Sequence, residues 1–124
     1  MNQVLAIAAG GALGSVMRYG LSMWVHSFAG RGFPYGTLAV NVLGSLAMGF
    51  LFVLLVERMG ESALWRAGLL IGVLGGFTTF SSFSMETFNL IEQGAIAKAV
   101  ANMAASLVLC VGATWLGVLF ARQL

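Results

Sequence analysis

The chain has 124 residues, of which 60% are hydrophobic and only 8% are charged. A soluble domain typically has about 25% charged residues, so this composition excludes an ordinary water-soluble fold. The net charge of +2 comes without a cluster of basic residues, which excludes a nucleic-acid partner.

Four apolar stretches are long enough to cross a bilayer, whose hydrocarbon core needs roughly 20 helical residues. They cover residues 4–25, 36–56, 65–90 and 97–121, with short connectors between them. The first stretch begins with Met-Asn-Gln and lacks the basic residues of a signal peptide. We therefore predict an all-α, multi-pass membrane protein in which residues 1–124 form a single four-helix transmembrane domain.

The first span carries mostly small residues at every fourth position, and the third span has a similar stripe. The two stripes consist of Ala6, Gly10, Gly14, Arg18 and Ser22, and of Gly68, Gly72 and Gly76. Small residues let helix backbones approach closely in lipid. The stripes indicate either contacts between subunits or packing within one chain, and both interpretations stay open.

The second and fourth spans each carry a polar track at the same four-residue spacing. The tracks consist of Thr37, Asn41 and Ser45, and of Asn102, Ser106, Cys110 and Thr114. An amide without partners is costly in hydrocarbon, so these residues must face protein or water. Bonds between helices would explain each residue alone, but two tracks in one small protein favour a lined pathway.

The third span contains the run Gly-Gly-Phe-Thr-Thr-Phe-Ser-Ser-Phe-Ser at residues 75–84. Glycine costs about 1 kcal/mol relative to alanine inside a helix, and hydroxyl groups can bond to freed backbone groups. We predict a helix that is broken in mid-membrane. Its free carbonyls can hold a cation and its free N–H groups an anion. A kink that binds no ligand is the alternative.

Two charged residues lie inside or beside the spans. Arg18 either extends to the interface or sets a positive potential in an aqueous vestibule. Glu86 lies one turn beyond Phe83, at the expected mouth of a pathway. We assign both charged residues to a candidate vestibule.

The basic residues are balanced between the two sides of the membrane. One side carries Arg58, Arg66 and Arg122, and the other carries Arg31 and Lys98, together with Arg18 if its side chain extends to that end of the first helix. Because the Lys/Arg bias sets the orientation of a membrane protein, neither orientation is favoured here. This balance predicts dual topology, in which two oppositely inserted copies form an antiparallel homodimer.

Three runs resemble those of the Fluc (CrcB-type) fluoride channels, at residues 10–19, 34–44 and 75–86. The similarity covers essentially the whole chain, and the run at residues 75–84 is highly specific. The resemblance implies an antiparallel homodimer with two fluoride pores. It also implies a structural sodium ion at the dimer centre, held by backbone carbonyls of the broken third helix.

The resemblance also implies roles for individual residues. Phe80 and Phe83 match the two pore phenylalanines, Asn41 matches the pore asparagine, and Ser106 matches a hydroxyl on the fourth helix. Thr37, Thr79 and Ser81 are further hydroxyl groups expected along the fluoride pathway. Gly75 and Thr78 match the sodium-binding carbonyl positions. Asn102 stands where many members of the family have tyrosine, which changes the local set of donors.

We therefore expect a passive fluoride channel in the bacterial inner membrane that exports fluoride from the cytoplasm and reduces its toxicity. The alternative is a small multidrug-resistance-type exporter with four helices. That class uses a carboxylate in the first span, where this chain has Arg18 instead. A structural subunit of a larger complex would need neither polar tracks nor a break. An enzyme is disfavoured because His26, the one histidine, lies in a predicted connector and has no constellation of acid and nucleophile residues around it.

Overall fold

The computed structural model describes residues 2–58, 60 and 63–124, and every regular element in that part of the chain is helical. The α-helices are α1 Asn2–Ala29, α2 Tyr35–Phe52, α3 Ala63–Arg66, α4 Gly75–Phe77, α5 Phe80–Glu92 and α6 Ile96–Gln123. A π-helical segment, Val53–Arg58, extends α2, and a second one, Ala67–Leu74, joins α3 to α4.

These elements form four apolar helical stretches that are long enough to cross a membrane. Their bounds are Asn2–Ala29, Tyr35–Arg58, Ala63–Glu92 and Ile96–Gln123. The prediction of an all-helical protein with four spans is confirmed, although each helix extends a few residues beyond its predicted ends. The helical segments on either side of the second connector end at Arg58 and begin at Ala63, and residues 59, 61 and 62 between them lie outside the described part.

The first and third spans pack against each other through glycine. A Cβ atom on Gly72 would lie 3.0 Å from the Ile7 carbonyl oxygen and 3.1 Å from the Gly10 Cα. A Cβ atom on Gly14 would meet the backbone of Val73. Such close approach is open only to residues without a side chain. The small-residue stripes of the first and third spans therefore pack against each other within one chain, which is one of the two interpretations given above.

The second and fourth spans form the most extensive helix pair. Thr114 Oγ1 donates a hydrogen bond to the Ser45 carbonyl at 3.1 Å, which ties α6 to α2. A Cβ atom on Gly49 would meet the Thr114 backbone, and one on Gly117 would lie 2.9 Å from the Phe50 nitrogen. This pair also brings the two polar tracks side by side.

An ion pair lies at the far end of the same helix pair. Arg122 Nη2 is 2.9 Å from Glu57 Oε2, and both side chains are well exposed. Because residue numbers rise together along the two spans, from Ser45 with Thr114 to Glu57 with Arg122, the spans run parallel. An exposed pair of this kind contributes little to stability.

A glycine follows the C-terminal end of α5 and ends that helix. Gly94 has a φ of +80°, its nitrogen donates to the Ile91 carbonyl at 3.0 Å, and the Ala95 nitrogen donates to the Leu90 carbonyl at 2.8 Å. These two bonds form a Schellman motif, which turns the chain directly from α5 into α6.

His26 lies in the last turn of α1 rather than in the connector, and its Nε2 accepts from the Gly36 nitrogen at 3.2 Å.

Candidate ion pathway

The third span is interrupted between α4 and α5. Thr78 has φ and ψ angles of −89° and 156°, and Thr79 has angles of −150° and 120°. Both residues are extended, and α5 begins at Phe80 directly after them. The two extended residues free backbone groups that need partners from elsewhere in the fold.

Asn41 on α2 supplies both partners of Thr79. Its Nδ2 donates to the Thr79 carbonyl at 2.9 Å, and its Oδ1 accepts from the Thr79 nitrogen at 2.8 Å. One amide side chain thus replaces the two backbone bonds that a continuous helix would give this residue. The second N–H of the Asn41 amide is left over, because an amide nitrogen carries two.

The break also diverts two backbone N–H groups away from their helical acceptors. In a continuous helix the Thr79 nitrogen would donate to the Gly75 carbonyl and the Ser82 nitrogen to the Thr78 carbonyl. Instead they donate to Asn41 Oδ1 and, at 3.1 Å, to Thr79 Oγ1. The carbonyls of Gly75 and Thr78 therefore lose their helical donors, and these are the two carbonyls that the resemblance assigns to sodium.

A groove of about 430 Å³ lies between α2, the break and α6. It brings together polar residues from all three elements: Asn41, Ser45, Thr78, Thr79, Ser106, Cys110 and Thr114. None of the described residues that line it carries a charge. The groove thus offers amide, hydroxyl and thiol groups without a fixed ion.

Both predicted pore phenylalanines line the groove. The ring centroids of Phe80 and Phe83 are 5.3 Å apart, with the ring planes tilted by 48°. Phe80 is 77% exposed within the single chain, so its ring stands at the open side of the groove. Their spacing of three residues places both rings on one face of α5.

Three of the residues predicted for the fluoride pathway or for sodium lie outside the lining of the groove. Gly75 is exposed, and Ser81 Oγ is also exposed and lies 3.3 Å from Thr79 Oγ1. Thr37 is buried, and its hydroxyl donates to Glu86 Oε2 at 3.0 Å. No local sequence pattern indicates that Thr37 and Glu86 would meet, because 49 residues separate them.

The two candidate vestibule residues each have a buried side-chain atom without a hydrogen-bond partner in the described part of the chain. These atoms are Glu86 Oε1 and Arg18 Nε. Burial of an unpaired polar group is costly, so we expect a water molecule or an ion to bind each of these two atoms. Neither residue lines the groove.

The polar track on α6 divides into two parts. Ser106, Cys110 and Thr114 line the groove, whereas Asn102 is buried outside it and donates to Thr87 Oγ1 at 2.9 Å. Residues four apart on a helix drift by about 40° per step, so a long stripe gradually leaves one face. The sequence also missed the apolar lining, which consists of Gly44, Met48, Met103, Leu107 and Val111. Nothing in the local sequence distinguishes these residues from others that face lipid.

The model of the family described as CrcB-like protein, Camphor Resistance (CrcB), matches residues 5–118. The chain belongs to this CrcB-like family. The CrcB-like match begins in α1 and ends in α6, so it covers most of the first and fourth spans, the two spans between them and the whole of the groove.

Individual CrcB-like relatives match over almost the full chain. A protein of Coxiella burnetii (strain Dugway 5J108-111) is 54% identical over 122 residues, which are 98% of both chains. A protein of Geobacter sulfurreducens (strain ATCC 51573 / DSM 12127 / PCA) is 50% identical over 124 residues, covering both chains completely. Both relatives carry the name fluoride-specific ion channel FluC.

Proposed function

We propose that this multi-pass membrane protein is a fluoride channel that passively exports fluoride from the cytoplasm and so reduces its toxicity. The observation that carries the proposal is the groove, where uncharged hydrogen-bond donors lie beside two phenylalanine rings. The name that the relatives carry agrees with this function. The α1 helix has no carboxylate for coupled transport, which disfavours the multidrug exporter.

The donors of the groove suit a small, strongly hydrated anion. Fluoride must exchange its water for close N–H and O–H donors. Asn41 keeps one N–H free of Thr79, and Ser106 adds a hydroxyl from the facing helix. Because no fixed cation lines the groove, binding stays weak enough for the ion to leave.

The phenylalanine rings add electropositive edges. An aromatic ring is negative on its faces and positive at its edge, so an edge attracts an anion. Phe80 and Phe83 are tilted rather than stacked, which leaves ring edges available at two successive heights of the groove. The N-terminus of α5, which begins at Phe80, adds the positive end of a helix dipole.

The position of the break supports a pathway at membrane depth. The span Ala63–Glu92 has residues 63–77 before the break and the 13 residues of α5 after it. A break in the middle of the span would put Thr79 and the start of α5 near the bilayer centre. Unwound backbone is tolerated there only when it is buried in protein or lines a water-filled cavity.

A second copy, inserted in the opposite orientation, would complete the pathway. The groove is open on one side and Phe80 is largely exposed there. The balanced Lys/Arg count allows both orientations, so an antiparallel homodimer with two pores is the assembly that we propose. Each copy would then cover the groove of the other copy and shield its polar groups from lipid.

A structural sodium ion fits the centre of this dimer. The Gly75 and Thr78 carbonyls have lost their helical donors, and unwound backbone carbonyls coordinate sodium in other membrane proteins. Bound sodium would offset the electrostatic repulsion between the carbonyl oxygens that the two copies bring together. We expect the dimer to be more stable in sodium than in an equal concentration of a bulky organic cation, as measured by the monomer–dimer equilibrium in lipid. Equal stability in both salts would remove the metal from the proposal.

Fluoride efflux from liposomes that contain the purified protein tests the function. A potassium ionophore removes the charge imbalance, and a fluoride electrode records the efflux. Phe80→Ile and Phe83→Ile keep the bulk of the side chain but lose the ring edge, so each should strongly reduce efflux while the protein still inserts and dimerises. Ser106→Ala should cost less, because a neighbouring donor or water can replace one hydroxyl. Parent-like efflux from both isoleucine variants would show that the rings only pack.

A further inference from the structure

Asn102 stands apart from the other polar residues of α6. It is only 2% exposed, and its Nδ2 donates to Thr87 Oγ1 on α5 at 2.9 Å. The Thr87 hydroxyl is buried and in turn donates to the Phe83 carbonyl at 2.8 Å. A chain of two hydrogen bonds therefore links α6 to the turn of α5 that carries a groove phenylalanine.

The direction of these bonds is fixed by their chemistry. A hydroxyl has one proton, and Thr87 gives that proton to the Phe83 carbonyl. Thr87 can then only accept from α6, and the amide nitrogen of Asn102 is the group that donates. Because both side chains are buried, the loss of either group would leave the other without its partner.

Besides this bond, the α5 helix is attached to α2 by the hydrogen bond that Thr37 donates to Glu86 at 3.0 Å. Its buried residues are Thr87 and Leu90, and it packs on α6 with little contact to α2. Thr87 follows Phe83 by one turn, and Asn102 precedes Ser106 by one turn of α6. The Asn102–Thr87 bond therefore joins α5 to α6 at a level about 6 Å along the helix axis from Phe83 and Ser106, which line the groove.

We propose that Asn102 is a positioning residue that holds the Phe83 turn of α5 in place through Thr87 and does not itself contact the ion. The inference rests on the proposed fluoride conduction, because Phe83 matters only if it lines the ion path. It gives Asn102 a different task from Ser106, although the two residues are four apart on the same helix.

Matched substitutions separate the hydrogen bonds from the packing. Thr87→Val keeps the shape of the side chain and removes the hydroxyl, whereas Thr87→Ser keeps the hydroxyl and removes a methyl group. Asn102→Leu removes the donor at similar volume, and Asn102→Asp replaces it by an acceptor that competes with the Phe83 carbonyl for the Thr87 proton. Asn89→Leu, at an exposed position of α5, is the control for the leucine substitution.

Fluoride efflux should fall about fivefold in Asn102→Leu and in Thr87→Val, the factor to which the roughly 1 kcal/mol of one ordinary hydrogen bond corresponds. The double variant should be no slower than the slower single variant, because both changes cut the same chain. Thr87→Ser and Asn89→Leu should stay within about twofold of the parent. In a Phe83→Ile background, Asn102→Leu should add no further loss.

Hydrogen exchange of the α5 amides gives a second readout that does not depend on conduction. Asn102→Leu and Thr87→Val should both speed exchange in the peptide that contains Phe83, and Thr87→Ser should not. A loss of efflux in Asn102→Leu without a loss in Thr87→Val would make Asn102 an ion donor and overturn the proposal. Unchanged exchange in both variants would overturn it as well. If the parent conducts no fluoride but exchange responds as expected, the proposed function fails and the positioning contact stands.

Discussion

Replacement of Asn41 by leucine should destabilise the fold through one backbone residue. The substitution removes the partners of both the Thr79 nitrogen and the Thr79 carbonyl, which Asn41 contacts at 2.8 and 2.9 Å. Each unpaired group of this half-buried residue should cost about 1–2 kcal/mol, or about 2–4 kcal/mol for the two. That corresponds to a factor of about 30–1,000 in the folding equilibrium. Unfolding in mixed detergent, followed by circular dichroism, measures the change.

Asn41→Asp separates the structural role of this side chain from its place in the pathway. The carboxylate keeps an acceptor for the Thr79 nitrogen but puts an oxygen against the Thr79 carbonyl and adds a negative charge to the groove. It should therefore destabilise less than Asn41→Leu and still abolish fluoride efflux, because like charges repel. We call the two hydrogen bonds between Asn41 and Thr79 the Asn41–Thr79 clamp. If Asn41→Leu has the stability and the fluoride efflux of the parent, water or other residues satisfy the Thr79 backbone and the clamp is not needed.

The remaining predictions concern packing, access and topology. A Cβ atom would meet the α2 backbone at Gly117 and nothing within 4 Å at Gly112. Overpacking costs about 1–3 kcal/mol, and an unhindered alanine in a helix gains about 1 kcal/mol over glycine. Gly117→Ala should therefore be about 2–4 kcal/mol less stable than Gly112→Ala in detergent unfolding. Equal stability would mean that the helices separate without cost. A small thiol reagent should block fluoride efflux by modifying Cys110, which lines the groove, and Cys110→Ser should abolish the sensitivity. Reporters fused to the C-terminus should show both orientations, and a single orientation in the parent would contradict the antiparallel dimer.

The features that follow from local composition were predictable from the sequence. Hydropathy located the four spans to within a few residues, because each span consists of consecutive residues. Glycine and hydroxyl residues drew attention to the segment in which Thr78 and Thr79 are extended, since they disfavour a regular helix there. Asn41, Phe80 and Phe83 could be named because each belongs to a run that resembles the fluoride channels, and Ser106 because it lies on the polar track of the fourth span.

The features that depend on how helices face one another were not predictable. The clamp joins residues 41 and 79, and no local pattern says which backbone group an asparagine will bind. The burial of Asn102 against Thr87 depends on the rotation of α6, which a four-residue spacing determines only approximately. The π-helical segments Val53–Arg58 and Ala67–Leu74 likewise have no local sequence signal. Each of these features is set by tertiary packing.

The attachment of α5 at both of its ends limits the motions that are open to it. Thr79 is clamped to Asn41 at one end, and the Gly94 turn joins the other end to α6 within three residues. A hinge-like swing about the break would have to pull one of these ends free, and a roll of α5 about its own axis would have to stretch the Asn102–Thr87 and Thr37–Glu86 bonds. A roll of about 20° would move side chains at a radius of about 6 Å by about 2 Å. Phe80 and Phe83 would then move together, and the pathway would widen or narrow at both rings in one step.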